Sequence, residues 1–410
     1  MKLAGIVAEF NPLHNGHEYI ISETRRLTGC ESVVIAMSGN YVQRGEPALV
    51  DKWSRAEMSL KSGADLVIEI PTLFCLGNAS QYASAGVALL EALDKSIHIC
   101  CGSESGDSEG LRFLSSFIKL NGREIDALVK SKIKEGLSYP SAREHAIISL
   151  MKERELPKKD IKRVEGLLKK PNDILALEYL MASAGSELRF IERKGSGYDD
   201  DYSENFEYQS AGAIRNLIKE KGADSAFYML RPYVPHHVLE MLNESELCFS
   251  HAFTEYLRFA AMQMSAEEID EAPSGGEGLG YLIKEAALKY DNLEDIIMHC
   301  KSKRYTYSRI SRLCMQIVLG IKRSDYQHSR PKYIRVLGAN KMGRKLLSEI
   351  KKKEENDLPI ITNINKSKET LDADALKMLS LDVKSSDVYN LALDRNTVKF
   401  SDHRMKPIII

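Results

Sequence analysis

The stretch LAGIVAEFNPLHNGHEYI, residues 3–20, joins an apolar run to a segment that favours a helix. The run at 3–8 predicts a buried strand. Asn11-Pro12 predicts a turn directly after that strand, and a helix is expected to begin near His17. This stretch therefore predicts a strand, a turn and a helix in succession, with polar residues at the carboxyl end of the strand.

The same alternation of short apolar runs and helix-like segments continues along the chain. Further strands are predicted at 32–37, 65–70, 96–101 and 187–195, with helices of ten or more residues between the first of them. Such a pattern indicates βαβ units and a parallel sheet, so the predicted fold class is α/β. Ligands of these sheets bind at the carboxyl ends of the strands.

The remainder of the chain reads mainly as helix. Residues 109–183 are helical and charged in pattern, a helix at 210–222 ends at Gly222, and no clear strand is expected after about residue 225. We therefore predict an α/β domain at 1–235 and a mainly helical C-terminal region at 236–410.

The histidines of the opening stretch suggest a phosphate site. Gly16 lets the backbone come close to a ligand, and the helix beginning near His17 points its free N–H groups and its dipole at the same place. His14 and His17 are then placed to donate hydrogen bonds to phosphate oxygens as negative charge shifts during transfer. The alternative is a structural turn that happens to hold two histidines.

The charge distribution is strongly asymmetric. The chain has 410 residues and a net charge of −1, yet between Lys301 and Lys353 nine lysines and seven arginines oppose only Asp325 and Glu349. That segment carries +14 and the rest of the chain −15. Such asymmetry suggests a polyanion-binding region joined to a mildly acidic body.

The basic segment also contains interleaved aromatic residues. Cationic side chains bind phosphates and aromatic rings can stack on unpaired bases, so this composition predicts binding to an RNA loop. The alternative is a solvated helix with a buried tyrosine. The predicted RNA-binding residues are Lys301, Lys303, Arg304, Tyr305, Tyr307, Arg309 and Arg312, and the basic surface is expected to continue through Lys332, Arg335, Lys341 and Arg344.

Composition argues against several other classes of protein. No apolar run approaches the length needed to cross a bilayer, and the N-terminal run is interpreted as a strand rather than a signal peptide. The seven cysteines are odd in number and contain no C-x-x-C pair, which argues against a structural zinc site and a disulfide framework. Cytoplasmic localisation is the expectation.

The motif FNPLHNGH at 10–17 resembles the H-x-G-H signature of the nucleotidyltransferase superfamily, whose members bind ATP on a doubly wound sheet. QSAGAIRNLI at 209–218 loosely resembles the second signature of that superfamily. Ser210 can cap the helix there, and Arg215 can reach the β- and γ-phosphates. Ala211 and Gly212 replace the usual second hydroxyl residue. The alternative for this stretch is a capped surface helix.

Four further motifs resemble the tRNA(Met) cytidine acetate ligases along essentially the whole chain. They are SGNYVQRGEPALVDKWSRAEMSLKSGADLVIEIP (38–71), CGSE (101–104), KPNDILALEYL (170–180) and KRYTYSRISRL (303–313). The resemblance implies an enzyme that uses ATP to activate acetate as acetyl-adenylate. It then implies transfer of the acetyl group to N4 of the wobble cytidine, position 34, of elongator tRNA(Met).

The resemblance also implies which residues contact ATP. Gly102, Asn172 and Arg193 match contact positions of the family, with Lys194 as an alternative to Arg193. His14 and His17 are the implied catalytic residues. The implied contacts in the opening stretch are Val7, Ala8, Glu9, Phe10, Asn11, Pro12, Leu13, His14, Asn15, Gly16, His17, Glu18, Tyr19 and Ile20.

Mg²⁺ is expected to act with the two histidines and the helix N-terminus on the phosphate charge, and no metal-ligating residue is assigned. No general base is required, because acetate is ionised near neutral pH. Two alternatives stay open: an adenylyltransferase acting on a phosphorylated small molecule, and a non-catalytic RNA-binding protein with the same nucleotide fold.

Overall fold

A computed structural model of the chain describes residues 1–195, 202–203, 205–326, 330–352, 358–396 and 399–410. Its strands are β1 (Leu3–Ala8), β2 (Ser32–Ser38), β3 (Tyr41–Val42), β4 (Glu46–Pro47), β5 (Leu66–Ile70), β6 (His98–Ser103), β7 (Glu187–Glu192), β8 (Ile334–Ala339), β9 (Ile360–Ile361) and β10 (Ile408–Ile409).

Helices make up most of the described chain. The helices of the first half are α1 (Asn15–Thr28), α2 (Lys52–Lys61), α3 (Thr72–Cys75), α4 (Ala79–Leu93), α5 (Ser108–Lys134), α6 (Tyr139–Glu153), α7 (Lys158–Leu167) and α8 (Pro171–Ala182). The helices of the second half are α9 (Ala211–Lys221), α10 (Ala223–Leu230), α11 (His236–Asn243), α12 (Thr254–Gln263), α13 (Ala266–Asp270), α14 (Leu279–Lys289), α15 (Leu293–Cys300), α16 (Tyr307–Leu319), α17 (Lys341–Lys352), α18 (Ile364–Ser367) and α19 (Ala373–Ala392). Short 3₁₀ turns cover Ser250–Phe253 and Arg323–Tyr326. None of the helices in the described ranges is both long and apolar enough to span a bilayer.

The central sheet has the strand order β10-β8-β5-β2-β1-β6-β7, with β9 paired to β8. β1 is an interior strand and pairs in parallel with β2 on one side and β6 on the other. Its residues Leu3–Val7 are buried, as expected for an apolar run covered on both faces. The predicted α/β class, the parallel pairing and the strand–turn–helix order of the opening stretch are confirmed.

The C-terminal region contributes to this same sheet, and the expectation of no clear strand after about residue 225 is wrong. β8 pairs antiparallel with β5, and both β9 and β10 pair in parallel with β8. β9 and β10 are two residues each, which is too short to show a pattern in the sequence. β8 lies within the most basic segment of the chain, so its apolar pattern is masked by the charged residues around it. The C-terminal region is otherwise mainly helical, and the boundary at 235/236 stays a prediction.

The two faces of the sheet are covered by different helices. One core, beneath α4 and α8, includes Val7, Tyr82 and Cys101. The other core, beneath α1 and α9, includes Phe10 and Ile214. The turn that follows β1 passes from one side to the other at the carboxyl edge of the sheet, which is where the cavity described below opens.

Part of the predicted basic surface is buried instead. Arg335 is 2% exposed, and its Nη1 lies 2.9 Å from Asp402 Oδ2 and 3.0 Å from Glu69 Oε2. Lys52 is fully buried, and its Nζ lies 2.8 Å from the same two carboxyl groups. Arg335 on an inward-facing position of β8 therefore neutralises buried carboxylates and does not extend the RNA-facing surface, which corrects the prediction for this residue.

Candidate active site

A cavity of about 580 Å³ opens at the carboxyl ends of β1 and β6. The position agrees with the expectation for a parallel sheet. Residues from the N-terminal turns of α1, α4, α6, α8, α9 and α16 line it. Since each helix N-terminus carries a partial positive charge and unpaired N–H groups, this convergence favours an anionic ligand such as a polyphosphate.

The two histidines of the opening stretch lie together in the cavity wall. His14 is the N-cap of α1, and its Nδ1 accepts a hydrogen bond from Gly16 N–H at 3.1 Å. The His14 backbone N–H donates to His17 Nδ1 at 3.3 Å, which completes a reciprocal capping arrangement. The rings are 3.7 Å apart between centroids, and Phe10 packs on His17 at 4.7 Å.

Burial keeps both imidazoles neutral. Burial, together with the nearby positive charge of Arg193, lowers the pKa of His14 to about 3. Burial also lowers the pKa of His17 well below its usual value, with His14 and Arg193 acting in the same direction. A neutral imidazole whose Nδ1 accepts a hydrogen bond carries its proton on Nε2. Each ring therefore presents one Nε2–H donor rather than a full positive charge.

The turn between β1 and α1 is held by two buried or half-buried arginines. Arg55 Nη1 donates to the Glu9 carbonyl at 2.6 Å, and Arg215 Nη1 donates to the Asn11 carbonyl at 2.7 Å. Asn11 Oδ1 accepts from the Leu49 N–H at 2.7 Å. The predicted turn at Asn11-Pro12 is confirmed, and its carbonyl groups are fixed so that the following histidines face the cavity.

The second signature forms the opposite wall. Ser210 caps α9 by accepting from the Ala213 N–H at 3.0 Å, as predicted. Ala211 and Gly212 line the cavity. Arg215, one turn further, also lines it, and its Nη2 lies 3.2 Å from Glu46 Oε2. The stretch therefore lines the cavity, and its role in binding ATP stays a prediction.

Arg193 and Lys194 differ in position. Gly102 on β6 lies beneath Arg193: a Cβ at Gly102 would come within 3.1 Å of Arg193 Cγ, so glycine here lets the arginine lie flat across the strand end. Arg193 lines the cavity together with both histidines. Lys194 Nζ lies 5.0 Å from the centroid of the Tyr19 ring, in a smaller neighbouring cleft.

Asn172 is held by hydrogen bonds to the turn that follows β6. Its backbone N–H donates to Glu104 Oε1 at 3.1 Å, and its side-chain amide donates to the same oxygen. Next to it the buried Asp173 accepts from Ser103 Oγ at 2.6 Å and from the Glu104 N–H at 2.9 Å. The CGSE and KPND motifs thus hold each other, and Gly102 and Asn172 both reach the cavity from this junction.

The predicted ATP contacts at 7–20 divide into residues that line the cavity and residues that do not. Those lining the cavity are Val7, Ala8, Glu9, Phe10, Asn11, His14, His17 and Ile20. Those outside its lining are Pro12, Leu13, Asn15, Gly16, Glu18 and Tyr19. Leu13 is fully buried in the core, and the Asn15 side chain donates to the Pro232 carbonyl at 2.8 Å.

The predicted RNA-binding residues do not form one open surface. Tyr305 is 7% exposed, so the expectation that its ring stacks on a base is contradicted by its burial. Arg309 donates to the carbonyls of Ser274 and Gly275, at 3.0 and 3.1 Å. Arg312 is held against the Gln43 carbonyl, at 3.4 Å.

The remaining residues of this group differ in exposure. Lys301 and Lys303 are exposed in the segment before α16. Arg304 pairs with Glu277 at 3.1 Å on the surface. Tyr307 lines the cavity itself, and its hydroxyl donates to Glu294 Oε2 at 2.8 Å. The basic segment therefore leads directly into the cavity.

Sequence reasoning did not identify the tyrosines of the cavity floor. Tyr82 on α4 and Tyr179 on α8 both line it. In the sequence they occupy ordinary core positions of apolar helices, and no spacing sets them apart. The KPND motif begins the helix that carries Tyr179, and it is the sequence feature closest to that residue.

Comparison with known proteins agrees with this geometry. Residues 1–404 match the family model described as HIGH Nucleotidyl Transferase. The chain is 34% identical to a tRNA(Met) cytidine acetate ligase of Clostridium perfringens, with complete coverage of both chains. It is 36% identical to a protein of that name from Caldanaerobacter subterraneus, over 96% of each chain.

Solved structures show the same relationship. The crystal structure of Thermotoga maritima TmcAL, without ligand, superposes with a TM-score of 0.90 at 29% identity, covering 100% of both chains. The form of that protein bound with alpha-thio ATP superposes with a TM-score of 0.89 at the same identity and coverage.

A mainly parallel sheet with a paired-histidine turn at the carboxyl end of an interior strand defines a nucleotidyltransferase of the HIGH type. Within that class, the chain belongs to the tRNA(Met) cytidine acetate ligase family. Relatives of that name are 34–36% identical to it over essentially their full length.

Proposed function

We propose that this chain is an ATP-dependent ligase that forms acetyl-adenylate and transfers the acetyl group to N4 of cytidine 34 of elongator tRNA(Met). The observation that carries the proposal is the pair of neutral histidines at the helix-lined cavity. It supplies hydrogen-bond donors for a polyphosphate in a chain whose relatives bear this name.

In the first step an acetate oxygen attacks the α-phosphorus of ATP, and the bond from that phosphorus to the β-phosphate oxygen breaks to release pyrophosphate. Negative charge builds on the phosphate oxygens during this displacement. His14 and His17 present Nε2–H donors there, and the N-terminal turns of α1 and α9 add backbone N–H groups. The attacking oxygen needs no base, because acetate is already ionised.

In the second step the N4 amine of cytidine attacks the acyl carbon, and the bond from that carbon to the adenylate oxygen breaks. AMP leaves with that oxygen, and the amine loses one proton. A carboxylate is a poor acyl donor, and adenylation supplies the good leaving group that this transfer requires.

The remaining predicted ATP contacts fit this arrangement. Gly102, Asn172 and Arg193 approach from the β6 side, while Ser210 and Arg215 approach from α9. Within the described part of the chain, no group of three or more His, Cys, Asp or Glu side chains is arranged to hold a metal ion. We therefore assign Mg²⁺ to the phosphates of ATP, where it would neutralise part of their charge.

The tRNA is proposed to approach across the segment before α16. Lys301, Lys303 and Arg304 lie at the surface there, and the next residues, Thr306–Ser308, line the cavity. A backbone bound by these cations would place a flipped-out base at the cavity mouth. The cytoplasm is the proposed compartment, since it supplies both ATP and tRNA.

The test is incubation with ATP, ¹⁴C-acetate and elongator tRNA(Met), followed by digestion to nucleosides. Labelled N4-acetylcytidine at position 34 supports the proposal. ATP turnover only with a phosphorylated small molecule, and no label in RNA, would favour the adenylyltransferase alternative. Binding of tRNA without ATP turnover would favour the non-catalytic alternative.

A further inference from the structure

One corner of the cavity differs from the rest of it. Tyr82 is 1% exposed, and its hydroxyl has no hydrogen-bond partner among the described residues. Buried hydroxyl groups are nearly always paired, because burial without a partner costs free energy. Since Tyr82 also lines the cavity, a ligand bound there can supply the missing partner.

The walls of this corner are mostly apolar. Val7 of β1, Cys101 of β6 and Leu175 of α8 line the cavity beside Tyr82, together with Tyr179. The thiol of Cys101 is buried, and burial raises the pKa of that thiol above its usual value, so it acts here as an apolar group. A small ligand with one apolar end and one hydrogen-bond acceptor matches these walls.

The corner lies apart from the phosphate-binding turns. Val7, Cys101, Tyr82 and Tyr179 belong to the core beneath α4 and α8. Phe10, which packs on His17, belongs to the core on the other face of the sheet. A ligand in the corner would therefore reach the phosphates from the α4 and α8 side, across the end of β1.

Glu9 lies at the end of β1, between this corner and the phosphate-binding turns. Its Oε1 accepts from the Gln43 N–H at 2.8 Å, which holds the carboxyl group in place. Burial raises the pKa of Glu9, which disfavours its negative charge, while Arg215 and Arg44 act in the opposite direction. Two cationic side chains near Glu9 reduce the repulsion that a second carboxylate would meet there.

We propose that this corner is the acetate subsite, an assignment that rests on the proposed function. The methyl group packs against Val7, Cys101 and Leu175, and the Tyr82 hydroxyl donates to the carboxylate oxygen that does not attack ATP. That oxygen becomes the carbonyl oxygen of acetyl-adenylate. Tyr82 is thus a substrate-binding residue, and the apolar walls limit the acyl chain to two carbons.

The test is acetate-dependent exchange of labelled pyrophosphate into ATP, measured without tRNA on the full chain. Tyr82→Phe should raise the KM for acetate about tenfold or more, as expected for a lost hydrogen bond to a charged group, with the KM for ATP unchanged. Leu175→Ala should raise the ratio of kcat/KM for propionate to that for acetate about tenfold or more.

Tyr389→Phe is the matched control. Tyr389 is also fully buried, and its hydroxyl donates to the Ala48 carbonyl at 2.8 Å, outside the cavity. The KM for acetate of the Tyr389→Phe variant should equal that of the parent chain.

The outcomes separate the two proposals. If the parent chain supports exchange with acetate but Tyr82→Phe leaves the KM for acetate unchanged, or raises the KM for ATP instead, the corner is not the acetate subsite. If the parent chain shows no acetate-dependent exchange but catalyses exchange with a phosphorylated small molecule, the proposed function itself fails and this assignment fails with it.

Discussion

The His14 backbone N–H donates to His17 Nδ1 at 3.3 Å, so the two catalytic candidates are joined by the cap of the helix that carries them. This bond fixes the His17 ring and leaves its Nε2–H for a ligand. His17→Ala should therefore lower the rate of adenylate formation about 100-fold or more, in the range found for loss of one charge-stabilising donor.

Pyrophosphate exchange measures that loss, and filter binding measures the affinity for tRNA, which should stay within about twofold because His17 is not one of the cations proposed to bind the RNA backbone. His145→Ala is the control, since His145 is exposed on α6. An equal loss of tRNA binding in His17→Ala would show that the motif is assigned wrongly.

The buried state of His14 predicts a pH dependence of stability. Its folded pKa of about 3 lies below the unfolded value near 6.5. Above pH 6.5 neither state binds the proton and no penalty exists. As the pH falls from about 6.5 towards 3, the unfolded state takes up a proton that the folded state cannot, and stability is lost at up to about 1.4 kcal/mol per pH unit.

Chemical denaturation at pH 7.5 and 4.5 measures this effect. The parent chain should lose about 2 kcal/mol more than His14→Gln between those two values. Equal losses in both proteins would show that the His14 ring is accessible to protons in the folded state. His236→Gln, at an exposed position on α11, is the control.

Arg193 and Lys194 are adjacent in sequence, but the structure places only Arg193 against the main cavity. Arg193→Gln should raise the KM for ATP about tenfold or more, because a cation that lies close to a phosphate or ribose contributes about that much. Lys194→Gln should change it less than about threefold, since exposed charges contribute little. The reverse order of effects would transfer the proposed ATP contact to Lys194.

Lys301 and Lys303 test the proposed path of the tRNA. Each phosphate contact of a bound single strand contributes about 0.7 to the slope of log K against log salt concentration. Lys301→Gln combined with Lys303→Gln should therefore flatten that slope by about 1.4. The control is Lys158→Gln with Lys159→Gln, two exposed lysines on α7. A slope as steep as that of the parent chain would remove this segment from the RNA-binding surface.

Much of the fold follows from the sequence because its signals are local. The apolar run of β1, the turn at Asn11-Pro12 and the Ser210 cap of α9 depend on neighbouring residues only, and all three are confirmed. β10 could not be predicted in this way. Its two residues pair with β8 some 70 positions earlier, and two apolar residues have no period of their own.

In the candidate site, too, the local features could be predicted from the sequence and the features that depend on distant packing could not. The histidine turn is a contiguous motif and was therefore visible in the sequence. Tyr82 and Tyr305 show the opposite case. Whether a tyrosine faces a cavity or the core depends on which helices pack against it, and the sequence places both among apolar and charged neighbours without distinction.

The buried ion cluster gives the last prediction. Arg335 joins β8 to Glu69 of β5 and to Asp402 of the C-terminal segment, all at 2% exposure or less. Arg335→Met leaves two buried carboxylates with Lys52 as their remaining cationic partner, and removal of one member of a buried ion pair costs about 3–5 kcal/mol. The free energy of unfolding should fall by about that amount at neutral pH. Lys332→Met, whose half-exposed side chain lies 3.5 Å from the exposed Asp374, should change it by less than about 1 kcal/mol. If Arg335→Met is as stable as the parent chain, the cluster does not fasten the C-terminal strands to the sheet, and the region from β8 onward must be held by its strand pairing, hydrogen bonds and apolar contacts.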